Sequence, residues 1–219
     1  MITTKDLRIR FSDGTAIRYG DLRFDSGRTY ALLGASGCGK STLLNMLAGI
    51  LTPTEGAIEI DGENACAWNQ RQKDAYRIRG IGYIFQDFKL LEEMTVADNI
   101  NLLRLEGVNT ADMDDLLDRL GILRLKRRKV KRLSGGEKQR VAIVRALIKK
   151  PALILADEPT GNLNFETGEA VVRQLIENAG GGTLIAVTHD ERLAPRFDHA
   201  LDMNAIARFE PGEGANGHV

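Results

Sequence analysis

The chain has 219 residues, 43 % of them hydrophobic and 27 % charged, with 30 basic side chains balanced by 30 acidic ones. That composition suits one ordinary globular core, and the zero net charge excludes a general nucleic-acid binder, which carries a basic excess. No apolar run approaches the ~20 residues of a membrane helix, Met1 to Asp6 lacks the apolar stretch of a secretion signal, and Cys38 and Cys66 form no disulfide framework or metal pattern, so a reduced cytosolic protein is expected.

In chain order, residues 7–62 read mostly as short strands. Leu7–Phe11, Ala16–Tyr19 and Ala57–Ile60 are set apart by Asp13-Gly14, Gly27 and Asp61-Gly62, which are turn signals. Thr29–Leu33 is an apolar strand running into a glycine-rich loop, and Thr42–Ile50 follows as a helix with Leu43, Leu44, Leu47 and Ile50 inward. The segment around Trp68 reads as a surface excursion of this β lobe, and Ile81–Phe85 as a buried strand. From Gln86 to Lys150 the periodicity is helical, clearest in Ala111–Leu120 and Glu137–Lys149. Ala152–Ala156 and Thr183–Val187 return to continuous apolar strands, the kind a parallel sheet covered on both faces requires. The expectation is an α/β core with an inserted helical lobe. Residues 1–85 hold the β lobe and glycine loop, 86–150 the helical lobe, 151–205 the rest of the core, and 206–219 a polar, frayed tail.

The chemistry is concentrated in three places. Gly34, Ala35, Ser36, Gly37, Cys38, Gly39, Lys40 and Ser41, followed by Thr42, match G-x-x-x-x-G-K-[ST] between a strand and a helix. Glycines let successive N–H groups curl around phosphate oxygens, and the helix adds its positive end. Lys40 is expected to reach the β- and γ-phosphates of ATP, Ser41 to hold Mg²⁺, and Thr42 to bond the α-phosphate. Leu153–Glu158 is an apolar strand ending in acid, which puts Asp157 at the carboxyl edge of the sheet as a further Mg²⁺ ligand. Glu158 is the candidate general base. Ser134 to Glu137 forms a capping-box pattern, yet two glycines in a helix's first turn cost roughly 1 kcal/mol each against alanine. Bare N–H groups approaching a second phosphate would explain them.

Leu133-Ser134-Gly135-Gly136-Glu137-Lys138-Gln139-Arg140 resembles the signature motif of ATP-binding-cassette (ABC) nucleotide-binding subunits, and the likeness runs from Leu7 to Met203. It implies the P-loop NTPase (RecA-like) form of α/β fold: a parallel-sheet core, an N-terminal antiparallel β lobe and an inserted α-helical subdomain. It implies a head-to-tail homodimer in which Ser134, Gly135 and Gly136 of one copy meet the ATP held by the other. By the same likeness Gln86 touches Mg²⁺ and senses a membrane partner, His189 contacts the γ-phosphate, and Phe11 stacks on adenine, with Tyr19 as its competitor. Phe11 stands where the family usually has tyrosine, and Asn164, closing Gly161-Asn162-Leu163-Asn164, stands where it usually has aspartate. Asparagine suits a helix N-cap equally well. Cys38 is either a small residue the loop tolerates or a thiol whose alkylation blocks ATP. The basic run Arg124–Arg132 is either a solvated face or a contact for anionic lipid or an acidic partner.

Arg79–Phe88, Leu90-Leu91, Thr95–Ile100 and Leu155–Leu163 resemble the branch of macrolide exporters, lipoprotein-release complexes, haem exporters and the cell-division ATPase. The implied function is an ATPase motor on the cytoplasmic face of the bacterial inner membrane. It would bind two copies of an integral-membrane permease docked near Gln86–Ile100, with cargo touching the permease alone. Haem is the expected cargo, with antibiotics, peptides and lipoproteins open. The alternative is a mechanotransmission ATPase that regulates cell-wall hydrolysis.

Overall fold

A computed structural model describes residues 1–161 and 163–211; Asn162 and most of the expected polar tail therefore lie outside the described residues. Among the described residues, eleven strands fall into two sheets. The first is antiparallel and carries β1 (Ile2–Arg10), β2 (Ala16–Tyr19), β3 (Leu22–Phe24), β5 (Glu55–Ile60), β6 (Glu63–Asn64) and β11 (Ala207–Glu210), in the order β11-β2-β1-β5-β6 with β3 also on β1. The second contains β4 (Thr29–Leu33), β7 (Ile81–Ile84), β8 (Leu153–Asp157), β9 (Thr183–Thr188) and β10 (His199–Asp202), all parallel, in the order β10-β4-β9-β8-β7. Strand β9 is buried along its whole length, as the apolar run Thr183–Val187 requires.

Two apolar layers enclose the parallel sheet. On one face β4 and β8 project Tyr30, Leu32, Leu153 and Leu155 against Leu43, Leu44 and Leu47 of α1 (Lys40–Leu47) and against the antiparallel sheet. Beyond β6 lie α2 (Gln70–Ala75) and the turns flanking it, where Trp68 packs edge-on to Tyr76 with ring centroids 5.0 Å apart.

The other face packs against α5 (Gly135–Leu147), α6 (Phe165–Asn178) and the helical lobe of α3 (Val96–Asn101) and α4 (Met113–Arg119). Helix α3 starts in a reciprocal capping box between Thr95 and Asp98. Buried Asn99 bonds the backbone of Leu91 and Thr95, so the turn entering the lobe has its polar groups satisfied. No helix among the described residues is long and apolar enough to cross a membrane.

The C-terminal segment differs from expectation. Residues 207–210, expected within a polar tail, form β11, which pairs antiparallel with β2 in the register Ala207↔Tyr19 to Glu210↔Ala16. A short helix, α7 (Met203–Ile206), turns the chain from β10 into it. Glu210 anchors the strand by ion pairs to Arg8 at 2.5 Å and Arg18 at 3.4 Å. Within the basic run Arg124 pairs with Glu137, Lys126 with Asp114, and Lys129 and Lys131 with Glu93. Such exposed pairs contribute little individually, and this arrangement favours the solvated-face reading.

Candidate functional site

The carboxyl ends of β4, β8 and β9 converge, and the loop between β4 and α1 closes over them. Gly39 is the N-cap of α1 at φ 91°, a left-handed conformation that favours glycine. A Cβ there would come within 2.8 Å of the Tyr19 hydroxyl. That hydroxyl donates to the Gly39 carbonyl at 2.8 Å and meets the Thr42 side chain. Tyr19 is therefore buried beneath the loop, not open to a base, and burial raises the phenol above its ordinary range. Of the two aromatics weighed for stacking, only Phe11 lines the cleft; a turn in which Phe11 N–H donates to the Thr15 carbonyl at 2.8 Å holds it there. Tyr19→Phe is expected to raise the KM for ATP several-fold with kcat little changed. The lost hydroxyl removes a net ~1 kcal/mol from the loop's seat, and unchanged steady-state kinetics would show that the seat is not needed.

The cleft is open and holds about 680 Å³, lined by Phe11, Ala35, Ser36, Gly37, Gly39, Lys40, Ser41, Thr42, Gln86, Glu158 and His189, with Ile17 and Phe209. The first N–H groups of α1 have no intrahelical acceptor. Lys40 is only 5 % exposed. Its ammonium donates to the carbonyls of Gly34 and Ala35, each at 2.8 Å, and lies 3.6 Å from Glu158 Oε1. The other Glu158 oxygen is 2.9 Å from His189 Nδ1. Glu158 itself has φ 47°, a left-handed conformation a non-glycine residue rarely holds, and its N–H donates to the Val187 carbonyl at 3.1 Å. Strain of this kind concentrates at functional sites.

Ser41 Oγ donates to Asp157 Oδ1 at 2.8 Å. Burial raises Asp157 above the usual carboxylate range; the Ser41 bond opposes the shift and the neighbouring Glu158 charge adds to it. Ser41 and Gln86 line the cleft and Asp157 is bonded to Ser41, so a hydroxyl, a carboxylate and an amide side chain make a hard oxygen donor set that fits Mg²⁺, which commonly takes one or two protein oxygens beside phosphates and water.

The Asp157 shift has a thermodynamic consequence. Folding raises this acid above its unfolded value, so its cost is absent below the unfolded value and grows as pH climbs towards the folded one. Asp157→Asn is expected to melt at a higher temperature than the native nucleotide-free protein at neutral pH, and to lose that advantage in acid. A melting-temperature difference independent of pH would refute this.

Cys38 is half-buried, and its sulfur sits 3.9 Å from the Lys40 nitrogen, where a Cβ on Gly34 would come within 2.7 Å of it. The thiol is tucked under the loop, which supports the reading of a tolerated small residue. Asn164 caps α6, its side chain accepting from Thr167 N at 2.9 Å. Ser134 caps α5 and exchanges bonds with Glu137, as its sequence pattern implies. Gly136 has a local reason for being glycine: a Cβ would press within 3.2 Å of Thr167 Cγ2 on α6. Ser134, Gly135 and Gly136 are absent from the cleft lining. The structure therefore gathers the glycine loop, acids, Gln86, His189 and Phe11, and leaves the serine-glycine segment apart.

Two participants, Phe209 and Arg145, escaped the sequence, and Tyr19 has a different role from the stacking weighed for it. Tyr19 acts from below the loop, and Phe209 reaches the cleft from the C-terminal strand. Arg145 of α5 donates to the carbonyls of Lys89 at 2.5 Å and Phe88 at 2.6 Å, and burial lowers its guanidinium pKa. It thereby holds the two left-handed residues, φ 60° and 48°, that follow Gln86-Asp87. A charged residue among Val141, Val144 and Leu147 was the available signal for it.

Residues 18–161 match the family model described as ABC transporter. The chain is 39 % identical over 191 residues to the lipoprotein-releasing system ATP-binding protein LolD of Xanthomonas euvesicatoria, spanning 84 % of this chain and 78 % of that protein. It is 42 % identical over 187 residues to an uncharacterized ABC transporter ATP-binding protein of Mycobacterium tuberculosis, spanning 82 % and 75 %. Among solved structures it resembles a dimeric bacterial ABC transporter cassette, with a TM-score of 0.80 at 31 % identity over 98 % of this chain and all 100 % of that one. The same cassette in a dimeric post-hydrolysis state bound to ADP and Pi gives a TM-score of 0.80 at 30 % identity, with coverage of 98 % and 100 %.

Proposed function

Since the chain belongs to the ABC transporter family and is an ATP-binding, ATP-hydrolysing subunit of it, we propose that it is the motor of a bacterial export complex that releases lipoproteins from the membrane. The observation that carries this reading is the divided site. The cleft has its phosphate loop and acids, while the capped, exposed start of α5 at Ser134 lies outside it. A second copy placed head to tail supplies Ser134, Gly135 and Gly136 to the open side of the cleft. That the related cassette is dimeric supports the presence of a second copy.

In this reading Lys40 and the loop N–H groups hold the β- and γ-phosphates, and Phe11 stacks on the base. Ser41, Asp157 and Gln86 would hold Mg²⁺, which would supply positive charge against the phosphate oxygens. Glu158 accepts a proton from a water whose oxygen attacks the γ-phosphorus. The bond to the β-phosphate oxygen breaks, and ADP and phosphate leave. His189 keeps Glu158 oriented through their 2.9 Å contact and faces the γ-phosphate.

The permease docks on the groove of about 490 Å³ between the core and the helical lobe, whose walls include Ile50, Phe85, Leu102, Leu103 and Arg145. Arg145 links that groove to the residues after Gln86, so a push on the lobe reaches the cleft. Two permease copies would hold the dimer at the cytoplasmic face of the inner membrane. The names of the relatives favour lipoprotein over the haem expected from sequence. Co-purification from membranes, with mass identification of partner and ligand, tests this. A permease carrying lipoprotein or its acyl chains supports it. A coloured haem ligand, or a partner that is a cell-wall regulator, overturns it.

A further inference from the structure

Phe209 is the feature the proposed mechanism does not use. It belongs to β11 and pairs with Ile17 of β2, so the two side chains share a face of the antiparallel sheet. Ile17 is buried directly under the phosphate loop, its Cδ1 3.4 Å from where a Gly39 Cβ would stand. Phe209 lies beside it on the same cleft, together with Phe11, yet is 56 % exposed. A phenyl ring is costly to leave in water, and this one is held there by a built strand. Four main-chain register pairs join β11 to β2, and Glu210, the next residue, is clamped by Arg8 and Arg18.

From this geometry we infer that Phe209 is a second base-contacting residue of the nucleotide site, forming with Phe11 an apolar seat for the purine of a nucleoside triphosphate. The inference rests on the ATP-site reading above and deepens it. Lys40 and the loop supply the groups for phosphate; Phe11 and Phe209, lining the same cleft, supply hydrocarbon rings of the kind on which a heteroaromatic base stacks. Neither ring carries a hydrogen-bonding group, so the seat grips a purine without reading its edge, and adenine and guanine gain alike. Phe209 is thus a positioning residue for the base, outside the chemistry at the γ-phosphate.

Binding of ATP, GTP and inorganic tripolyphosphate to the native protein and to Phe209→Ala tests this by calorimetry. Phe209→Leu serves as a second variant that keeps bulk on the strand. The expected result for Phe209→Ala is a loss of roughly fivefold to tenfold in affinity for both nucleotides, the lower part of the range for removing one stacking ring, with a matching rise in KM, little change in kcat and no change for tripolyphosphate. Phe209→Leu should fall between. Unchanged ATP affinity in Phe209→Ala overturns the proposal. So does an equal loss for ATP and tripolyphosphate, which would mean that Phe209 only supports the loop. Failure of the native protein to bind ATP at all would instead refute the reading on which it rests.

Discussion

Glu158→Gln is expected to bind ATP tightly and not turn it over, with kcat falling by about 10²–10⁴, the range supplied by a positioned general base. The side-chain volume is unchanged, so the left-handed backbone at φ 47° and the contact to Val187 are retained. An amide can still offer one oxygen to Lys40, 3.6 Å away, and one N–H to His189, 2.9 Å away. What it cannot do is take a proton from water. Removing one negative charge also lowers repulsion with the incoming phosphates. Size-exclusion chromatography with ATP should therefore show a dimer that persists, where the native protein cycles back to monomer. Retention of full ATPase activity would refute the assignment of Glu158 as base.

Lys40→Ala is expected to act one step earlier, at binding. Loss of a charge-assisted contact to phosphate typically costs about 3–4 kcal/mol, or two to three orders of magnitude in Kd. Two structural details argue for the upper part. The ammonium is also the donor to the Gly34 and Ala35 carbonyls, so its removal loosens the loop that presents the N–H groups. It further leaves Glu158, 11 % exposed, without its cation inside the cleft. Arginine should not rescue, because a planar guanidinium does not fit a seat shaped for a compact ammonium between two carbonyls. Calorimetric titration decides, and an affinity within about threefold of native, less than 1 kcal/mol, would remove Lys40 from the phosphate site.

Several strands of both sheets and the phosphate loop were legible because their information is local. Ala16–Tyr19 and Thr29–Leu33 are apolar runs bounded by turn residues, and the strands have those bounds. Helix α1 starts at Lys40, before the expected Thr42, because Gly39 at φ 91° already caps it, a detail apolar spacing does not encode. Helix α2 went unread for a different reason: Gln70–Ala75 has no apolar stripe, and a capping box between Asn69 and Gln72 defines its start. Strand β11 was illegible because nothing in Ala-Arg-Phe-Glu announces a partner as distant as Ala16–Tyr19. The same non-locality hid Tyr19 and Phe209. The position of each, Tyr19 beneath the loop and Phe209 at the cleft, depends on a pairing rather than on its neighbours in sequence, whereas Lys40, Ser41, Asp157 and Glu158 sit in short motifs whose geometry travels with them.

That distant pairing also sets an order of events during synthesis. Strand β2 must wait, one edge bare, until residues near 210 emerge to lie against it. The floor of the cleft at Ile17 and Tyr19 is made early, and its rim at Phe209 last. Long-range strand pairing of this kind is slow and exposes an unpaired edge in the meantime. A nascent chain therefore has its phosphate loop well before residues near 210 emerge to complete the rim of the cleft.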